Sequence, residues 1–259
     1  MKMGLFARLK FFVQKKLGIL QLKAEHQSII ERQKHLIACE QETLKANLLR
    51  DTICESEWLK YKNLSPGGWA VDYGLLYTLY RVLNDMKPKN MIEFGLGQSS
   101  KMLHQYAAYY SDAKVLTCEH NSDWVEFFKA DVNGRYALKI QMLELQKYSC
   151  HGFETLIYKG LDEVCKEQKY DLILVDGPYG SDHYSRYQLV NLVQNNLADR
   201  FCLIMDDYER PGEQETIEEV LGILEAKGIP FSSFVYKASK KHCIVCSKDL
   251  EFLTTLYWF

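Results

Sequence analysis

From Pro66 onward, the chain alternates short apolar runs with longer segments of helical character. The apolar runs predict seven strands: Met91–Phe94, Val115–Cys118, Ile140–Leu145, Leu172–Val175, Cys202–Met205, Phe231–Tyr236 and Cys243–Cys246. Several are continuously apolar, which is typical of parallel strands covered by helices on both faces. Because helical segments separate most of them, the pattern predicts a doubly wound α/β fold with a mostly parallel sheet. The last two strands are too close in sequence for a parallel crossover, so the last strand is expected to be antiparallel.

The first 64 residues have a different character, with no proline and only two glycines, Gly4 and Gly18. Apolar residues recur there at seven-residue spacing: Leu22, Ile29 and Leu36, and again Ile30, Ile37 and Leu44. This predicts a long amphipathic helix, broken near Gly18. We therefore divide the chain into a helical arm, residues 1–64, and an α/β domain, residues 65–259. Thr43 and Arg50 interrupt the repeat, so the pattern is compatible with a sustained coiled coil but equally with a single amphipathic helix.

Charge is distributed unevenly between these two parts. The arm carries a net charge of +5 and the remainder −7, which argues against nucleic-acid binding as the main task. Residues 1–16 combine apolar and basic side chains, a composition found in helices that lie on anionic membrane surfaces. The alternatives are a helix packed on its own domain with a solvated basic face, and a homo-oligomer formed through the arm.

The cysteines and the N-terminus indicate the cytoplasm. The eight cysteines do not form a disulfide framework, and the N-terminus lacks the features of a secretory signal. No run approaches the roughly 20 apolar residues of a membrane-spanning helix. Cys243 and Cys246 form a lone C-x-x-C without a second ligand pair, so we expect both to be small core residues rather than zinc ligands.

A glycine-containing turn follows the first predicted strand, where Glu93-Phe94-Gly95-Leu96-Gly97 leads into a helix. Glycines let the backbone turn tightly and approach a ligand closely, and Ser99 or Ser100 can cap the helix. A dinucleotide site would need a third glycine where Ser100 stands. The turn is therefore better suited to a cationic or zwitterionic ligand beside Glu93, with a purely structural turn as the alternative.

A second acidic residue, Glu119, ends the next predicted strand, 22 residues beyond Gly97. An acid at this place and spacing can accept hydrogen bonds from a ribose diol. Together with the glycine turn, it predicts a ligand that contains a nucleoside. The alternative is an ordinary surface glutamate.

These segments together resemble class I S-adenosylmethionine-dependent methyltransferases. The resemblance covers residues 65–259 and rests on EFGLGQSS, CEH, YDLILVDGP and LIMDDY. It implies a Rossmann-like sheet that binds S-adenosylmethionine. By this resemblance Glu93, Gly95 and Gly97 contact the methionine part of the cofactor, and Glu119 contacts its ribose. The cofactor-binding candidates are Glu93, Gly95, Gly97, Ser99, Glu119 and His120. The resemblance also implies that residues 66–69, which end in Trp69, close over the cofactor.

Carboxylates follow two further strands, with Asp176 after the fourth and the pair Asp206-Asp207 after the fifth. The carboxyl ends of parallel strands lie on one edge of a sheet, and gathered carboxylates repel one another unless a cation or a proton lies between them. Oxygen ligands of this kind suit Mg²⁺ or Mn²⁺. The arrangement resembles divalent-metal O-methyltransferases, which implies Asp176, Asp206 and Asp207 as metal ligands. The alternative places Asp176 against cofactor or substrate and the pair in a turn or helix cap.

The loop after Asp176 reads GPYGSDHYSRY and is rich in polar side chains, among them His183 and Arg186. Such a loop suits a hydroxyl-rich acceptor, and its VDGP start resembles glycan methyltransferases. The candidate catalytic residues are Asp176, Asp207 and His183. Each of them could take the proton of an acceptor hydroxyl.

The sequence thus predicts a cytoplasmic O-methyltransferase that uses S-adenosylmethionine and acts on a small-molecule or glycan acceptor. Contact with a membrane surface and assistance by Mg²⁺ or Mn²⁺ are both compatible with it. Two other functions stay open. One is an aminopropyltransferase-like enzyme, whose denser glycine motif this chain lacks. The other is a non-catalytic methyltransferase-like scaffold that acts through its N-terminal helix.

Overall fold

The computed structural model describes residues 5–68 and 70–257. Trp69, part of the segment predicted to close over a cofactor, lies outside the described residues. The chain begins with two helices, α1 (Leu5–Lys16) and α2 (Ile19–Ile53). They are separated at Gly18, whose φ of 67° lies in the left-handed region, so the predicted break is confirmed there. Within the described residues, no helix is both long and apolar enough to cross a bilayer.

The rest of the chain alternates strands and helices. The helices are α3 (Tyr73–Arg81), α4 (Gln98–Tyr109), α5 (Ser122–Val132), α6 (Leu161–Val164), α7 (Gln188–Asn195) and α8 (Pro211–Ala226). The strands are β1 (Asn90–Phe94), β2 (Lys114–Glu119), β3 (Ile140–Met142), β4 (Leu145–Cys150), β5 (Phe153–Tyr158), β6 (Tyr170–Val175), β7 (Leu197–Met205), β8 (Phe231–Lys237) and β9 (Lys241–Ser247). A π-helical segment (Val82–Met86) extends α3, and a 3₁₀ helix (Lys248–Thr254) follows β9.

Seven of the strands form one sheet in the order β3-β2-β1-β6-β7-β9-β8. β3, β2, β1, β6 and β7 are parallel, whereas β9 runs antiparallel to both β7 and β8. This confirms the doubly wound α/β fold and the antiparallel last strand. The order of the strands reverses direction between β1 and β6, which is where open α/β sheets bind their ligands.

The predicted strand Ile140–Leu145 differs from the structure. Only Ile140–Met142 pairs with β2, while Leu145 begins β4, which forms a separate antiparallel hairpin with β5. His151 and Gly152 make the two-residue turn of this hairpin, both with positive φ. Apolar residues recur on both sides of the boundary, at Ile140, Met142, Leu143 and Leu145, so the pattern did not reveal where one pairing partner is exchanged for another.

The apolar strands are buried on both faces because successive residues enter different cores. Along β6, Leu172 and Leu174 pack with α3 and α4, and Ile173 and Val175 pack with α7 and α8. Along β9, Cys243 belongs to one core and Cys246 to the other. Both cysteines are buried, and their opposite orientation prevents them from binding one metal ion together.

The end of α2 is part of the domain core. Leu49, Ile53 and the following Trp58 and Leu59 are buried against α3 and α4. Glu42 accepts a hydrogen bond from the backbone N–H of Tyr73 (2.8 Å). Packing against the α/β domain therefore begins ahead of Ser65, and the largely exposed part of the arm ends near Glu40.

Candidate functional site

The carboxyl ends of β1, β2, β6 and β7 meet at one edge of the sheet. The backbone ladder continues past the strand ends, since the N–H of Gly95 donates to Cys118 O (3.0 Å), that of Asp176 to Phe94 O (2.9 Å) and that of Asp206 to Val175 O (2.9 Å). The glycine turn, Glu119 and the acidic residues are consequently fixed side by side. The sequence prediction that they share one edge is confirmed.

Gly95 is required where it stands. Its φ of 91° is in the left-handed region, and a Cβ there would lie 3.1 Å from the backbone of Asp176 and Gly177. Gly177 faces it, with a Cβ position 2.8 Å from Gly95 Cα. Gly97 is different, because its backbone is extended and a Cβ there would meet no atom within 4 Å. Gly97 thus borders open space in which a ligand could lie.

Glu93 and Ser99 support this turn from beneath. The Glu93 carboxylate is fully buried and accepts hydrogen bonds from the hydroxyls of Ser99 (2.6 Å), Ser100 (2.6 Å) and Thr117 (2.7 Å). Burial raises the pKa of Glu93 to about 7, against the lowering effect of these three donors. In this conformation Glu93 and Ser99 hold the start of α4 and do not face open space.

Glu119 ties the turns after β1 and β2 together. Its carboxylate accepts from the backbone N–H of Leu96 (3.0 Å), His120 (2.6 Å) and Asn121 (2.8 Å). The His120 Nδ1 lies 2.9 Å from Glu119 Oε1 without making a hydrogen bond, and both ring nitrogens of His120 are buried without a partner. The His120 ring also meets the Tyr179 ring edge-on, with centroids 4.8 Å apart. Two polar atoms next to the glycine turn are therefore left to pair with a ligand.

The three aspartates gather as predicted. Oxygen atoms of Asp176, Asp206 and Asp207 lie within 4.8 Å of one another. Both carboxylate oxygens of Asp206 and the Oδ1 of Asp207 are buried without a hydrogen-bond donor. Burial and the neighbouring Asp176 raise the pKa of Asp206 well above its usual range. Buried oxygens of this kind need a cation or a proton.

Basic side chains that the sequence did not place at this cluster supply part of that positive charge. Arg186 is buried, donates to Asp207 Oδ2 (2.8 Å) and to the carbonyl oxygen of Asp206 (3.2 Å), and lies 4.0 Å from Asp176 Oδ1. Lys240 Nζ lies 3.3 Å from Asp207 Oδ1 and 3.6 Å from Asp206 Oδ2. Arg210 Nη1 lies 3.1 Å from Asp207 Oδ2.

These cations shift the pKa of Asp207 in the opposite direction from that of Asp176. Burial alone would raise the pKa of Asp207. The pKa nevertheless lies below its usual range, because Arg186, Lys240 and Arg210 stabilise the carboxylate. Asp176 is the opposite case, because burial and the Asp207 carboxylate raise its pKa to about 6 despite Arg186 and Lys240. The cations thus favour the anionic form of Asp207, whereas burial favours the protonated forms of Asp176 and Asp206.

Sequence reasoning missed Lys240 and assigned Arg186 differently. Arg186 was expected to face an acceptor with the rest of its loop, but its guanidinium turns inward. Lys240 lies in the tight turn between β8 and β9, and its backbone N–H donates to Asp72 at the start of α3 (3.0 Å). Since β9 pairs with β7, this turn reaches Asp206 and Asp207. Only the strand order, which a single sequence does not state, places it there.

His183 lies apart from these carboxylate contacts. Its Nδ1 pairs with Glu215 (2.9 Å), and its ring stacks on Phe153 with centroids 4.0 Å apart. It lines a surface groove of about 560 Å³ together with Gly180, Ser181, Asp182, Arg210 and Pro211. Arg210 reaches both the groove and Asp207, so the groove borders the carboxylate cluster.

Solved structures show the same fold. A provisionally assigned O-methyltransferase from Klebsiella pneumoniae is 14% identical, matches 82% of this chain and 99% of its own, and has a TM-score of 0.50. A provisionally assigned caffeoyl-CoA O-methyltransferase from Staphylococcus aureus is 15% identical over 83% of this chain and 99% of its own, with a TM-score of 0.48. No protein-family model matches the chain, and no curated protein does. The likeness to the Klebsiella protein shows that the two share a Rossmann-like α/β fold.

Proposed function

We propose that the protein is an S-adenosylmethionine-dependent O-methyltransferase that acts on a hydroxyl of a sugar or glycan precursor. The observation that carries the proposal is the meeting of the glycine turn, Glu119 and the three aspartates at one edge of the sheet. The fold shared with the Klebsiella O-methyltransferase supports the same activity. The polar groove beside the aspartates supports a hydroxyl-rich acceptor.

The residues around Gly97 fit the cofactor. The open space at Gly97, the carboxylate of Glu119 and the unpartnered nitrogens of His120 offer close backbone approach and polar partners. Gly95 and Gly97 would border the methionine part, Glu119 would accept from the ribose hydroxyls, and His120 would flank the adenosine. Glu93 and Ser99 would act by holding this turn. When bound, the cofactor supplies a sulfonium methyl group that is already activated for transfer.

The three aspartates fit a hard divalent cation. Asp176, Asp206 and Asp207 would hold Mg²⁺ or Mn²⁺, since oxygen ligands suit these ions. Three of their buried oxygens accept no hydrogen bond, although two of the three lie 3.3 Å and 3.6 Å from Lys240 Nζ. The ion would supply Lewis acidity that lowers the pKa of an acceptor hydroxyl. Arg186 and Lys240 pair with Asp207 and fix its orientation.

The rest of the chemistry falls to the chain's own side chains. The groove orients the acceptor so that its oxygen lies in line with the methyl group. The acceptor proton needs a base within hydrogen-bond reach. Between the two carboxylates, Asp176 is the first candidate, because Arg186, Lys240 and Arg210 hold the pKa of Asp207 low and make it a weak base. Asp207 and His183 remain the other candidates.

Cofactor binding is tested by calorimetry with S-adenosylmethionine. Replacement of Glu119 with Gln or Ala removes a charged acceptor, and a hydrogen bond to a charged group contributes about 1.5–3 kcal/mol, so we expect affinity to fall roughly 10- to 100-fold. Glu126→Ala, an exposed glutamate on α5, is the matched control and should bind as the wild type does. Wild-type affinity in both Glu119 variants would contradict the assignment.

The metal is tested separately, by methyl transfer to sugar acceptors after exhaustive chelation. We expect turnover to be lost, to return with Mg²⁺ or Mn²⁺, and to stay low in Asp206→Asn. Undiminished turnover of the chelated enzyme would rule out the metal and leave Asp176 as a plain general base. If the protein binds S-adenosylmethionine but transfers its methyl group to none of the sugars, the proposed acceptor class is wrong. The proposal that the protein is a methyltransferase would be unaffected.

Helix α1 supports a further proposal about where the enzyme works. Phe6, Leu9 and Phe12 are exposed, Phe6 to 89%, on a helix that also carries Lys10, Lys15 and Lys16. Exposed aromatic residues beside basic ones are complementary to an anionic lipid surface. We expect the full chain to sediment with phosphatidylserine vesicles but not with neutral ones, and the double change Phe6→Ser, Phe12→Ser to abolish this. If the chain does not bind vesicles and light scattering shows a dimer, the arm serves self-association instead.

A further inference from the structure

A second group of metal-ligating side chains lies outside the site described above. Cys150 ends β4, His151 starts the hairpin turn, and Glu219 lies on α8. One thiol, one imidazole and one carboxylate atom from these residues lie within 4.8 Å of one another. His151 Nε2 and Glu219 Oε2 are 3.1 Å apart. We propose that Cys150, His151 and Glu219 form a binding site for a soft divalent cation, Zn²⁺ in the first place.

The ligand types select the cation. A thiolate, an imidazole and a carboxylate are the donors that Zn²⁺ takes in proteins, whereas Mg²⁺ prefers oxygen alone. Within residues 5–68 and 70–257 there are thus two chemically distinct groups of ligands, this one and the all-oxygen Asp176, Asp206 and Asp207. On binding, the Cys150 thiol releases its proton to solvent and its sulfur forms the bond to zinc. Three protein ligands leave the fourth tetrahedral position to water.

Neighbouring aromatic residues already hold the ligands in place. The Tyr187 hydroxyl donates to Glu219 Oε1 (2.7 Å), which leaves Oε2 directed at His151. The His151 ring packs on Tyr184, with centroids 4.6 Å apart. Partners that orient metal ligands in this manner typically contribute 10- to 100-fold in affinity, as an order of magnitude. Cys150 is buried, whereas the His151 side chain is half exposed and gives the ion a route of entry.

Zinc at this position would join the hairpin of β4 and β5 to α8. The hairpin is separate from the main sheet, yet it contacts the loop that lines the groove, through Thr155 Oγ1 and Ser181 Oγ (2.7 Å) and through Phe153 stacked on His183. A bound ion would stiffen that side of the groove. None of the three ligands belongs to the residues proposed to bind the cofactor or the acceptor, so occupancy of this site does not depend on the reaction proposed above.

The test is a Zn²⁺ titration of the full chain against a chromophoric chelator, with thiols reduced and Mg²⁺ in excess to occupy the oxygen-only cluster. We expect one tight equivalent in the wild type, weakened at least about tenfold in Cys150→Ser, His151→Asn and Glu219→Gln. Cys39→Ser is the matched control, since Cys39 Sγ lies 3.7 Å from His35 Nε2 on α2 and could itself attract zinc. That variant should keep the tight equivalent.

Cobalt substitution gives an independent readout. Co²⁺ in place of Zn²⁺ should produce a thiolate-to-metal absorption band that disappears in Cys150→Ser and persists in Cys39→Ser. A band that follows Cys39, or a tight equivalent that survives all three changes, would overturn the proposal. Should Cys150→Ser fail to fold, Glu219→Gln decides, because its side chain is partly exposed and keeps its shape.

Discussion

The two glycines of the turn after β1 are under different constraints, and their substitution separates folding from binding. Gly95→Ala places a Cβ on a backbone with positive φ and 3.1 Å from Asp176. We expect it to cost about 1–3 kcal/mol of stability. Gly97→Ala meets no neighbour, so its thermal unfolding should resemble the wild type while S-adenosylmethionine affinity falls. A Gly97→Ala protein that binds the cofactor normally would show that the open space there is not the ligand site.

Arg186 is the residue on which the aspartate cluster depends most. Its buried guanidinium pairs with Asp207 and approaches Asp176 and Glu213. Removing one partner of a buried ion pair leaves uncompensated charge and costs about 3–5 kcal/mol. We therefore expect Arg186→Gln to lower the urea midpoint strongly. Arg210→Gln, whose side chain is half exposed, is the control and should cost much less; equal effects would mean that burial is not what matters here.

Helix α4 is tied to β2 by a chain of hydrogen bonds that fixes the tautomer of His104. The backbone N–H of Lys139 donates to His104 Nδ1 (3.4 Å), so His104 Nε2 carries the proton and donates to Thr117 Oγ1 (3.0 Å). Thr117 in turn donates to Glu93 Oε2. Burial lowers the pKa of His104 to about 4. The ring is therefore neutral in the folded protein at mildly acidic pH.

The contribution of His104 to stability therefore depends on pH in a defined direction, opposite to that of Glu93, whose raised pKa favours the folded state as pH falls. Below its unfolded pKa, the histidine of the unfolded chain takes up a proton that the folded chain refuses, so acid favours unfolding. From His104 alone, the free energy of unfolding should fall by about 2 kcal/mol between about pH 7.5 and pH 5. Urea titrations of wild type and variants at both pH values check this: relative to the wild type, His104→Gln should be less destabilised by acid, whereas the exposed His35→Gln should respond as the wild type does. An equal acid loss in His104→Gln would contradict the account.

Helix α2 has an exposed first part and a buried last part that its sequence pattern does not distinguish. Leu22, Ile29 and Leu36 follow one repeat and are exposed, whereas Leu49 and Ile53 continue the helix and are buried. A chain that begins at Ser65 would lack Leu49, Ile53 and Leu59, each worth about 1.5–3 kcal/mol of buried side chain. Total stabilities are only about 5–15 kcal/mol. We expect that chain to be unfolded by circular dichroism, and a chain that begins near Glu40 to fold and bind cofactor.

Across the whole molecule, the features predictable from sequence are those set by local pattern. Continuous apolar runs identified most strands because Leu172 through Val175 fill two cores at once. The acidic ends of those strands gave the positions of Glu119, Asp176 and Asp206. What failed depended on long-range pairing: the exchange of partner between β3 and β4, the inward turn of Arg186, and Lys240 reaching the aspartates from another hairpin. The predicted boundary at Ser65 stays a prediction, with part of the core ahead of it.

The length of α2 affects how large the protein will seem in solution. At about 1.5 Å per residue, 35 residues make a rod of roughly 50 Å, and its first two thirds are largely exposed. A rod attached to a rounded body slows diffusion out of proportion to its mass. A single copy should therefore elute early from a sizing column, at a position that a calibration with spherical standards would read as two copies. Frictional ratios from sedimentation velocity would distinguish an elongated monomer from a true pair.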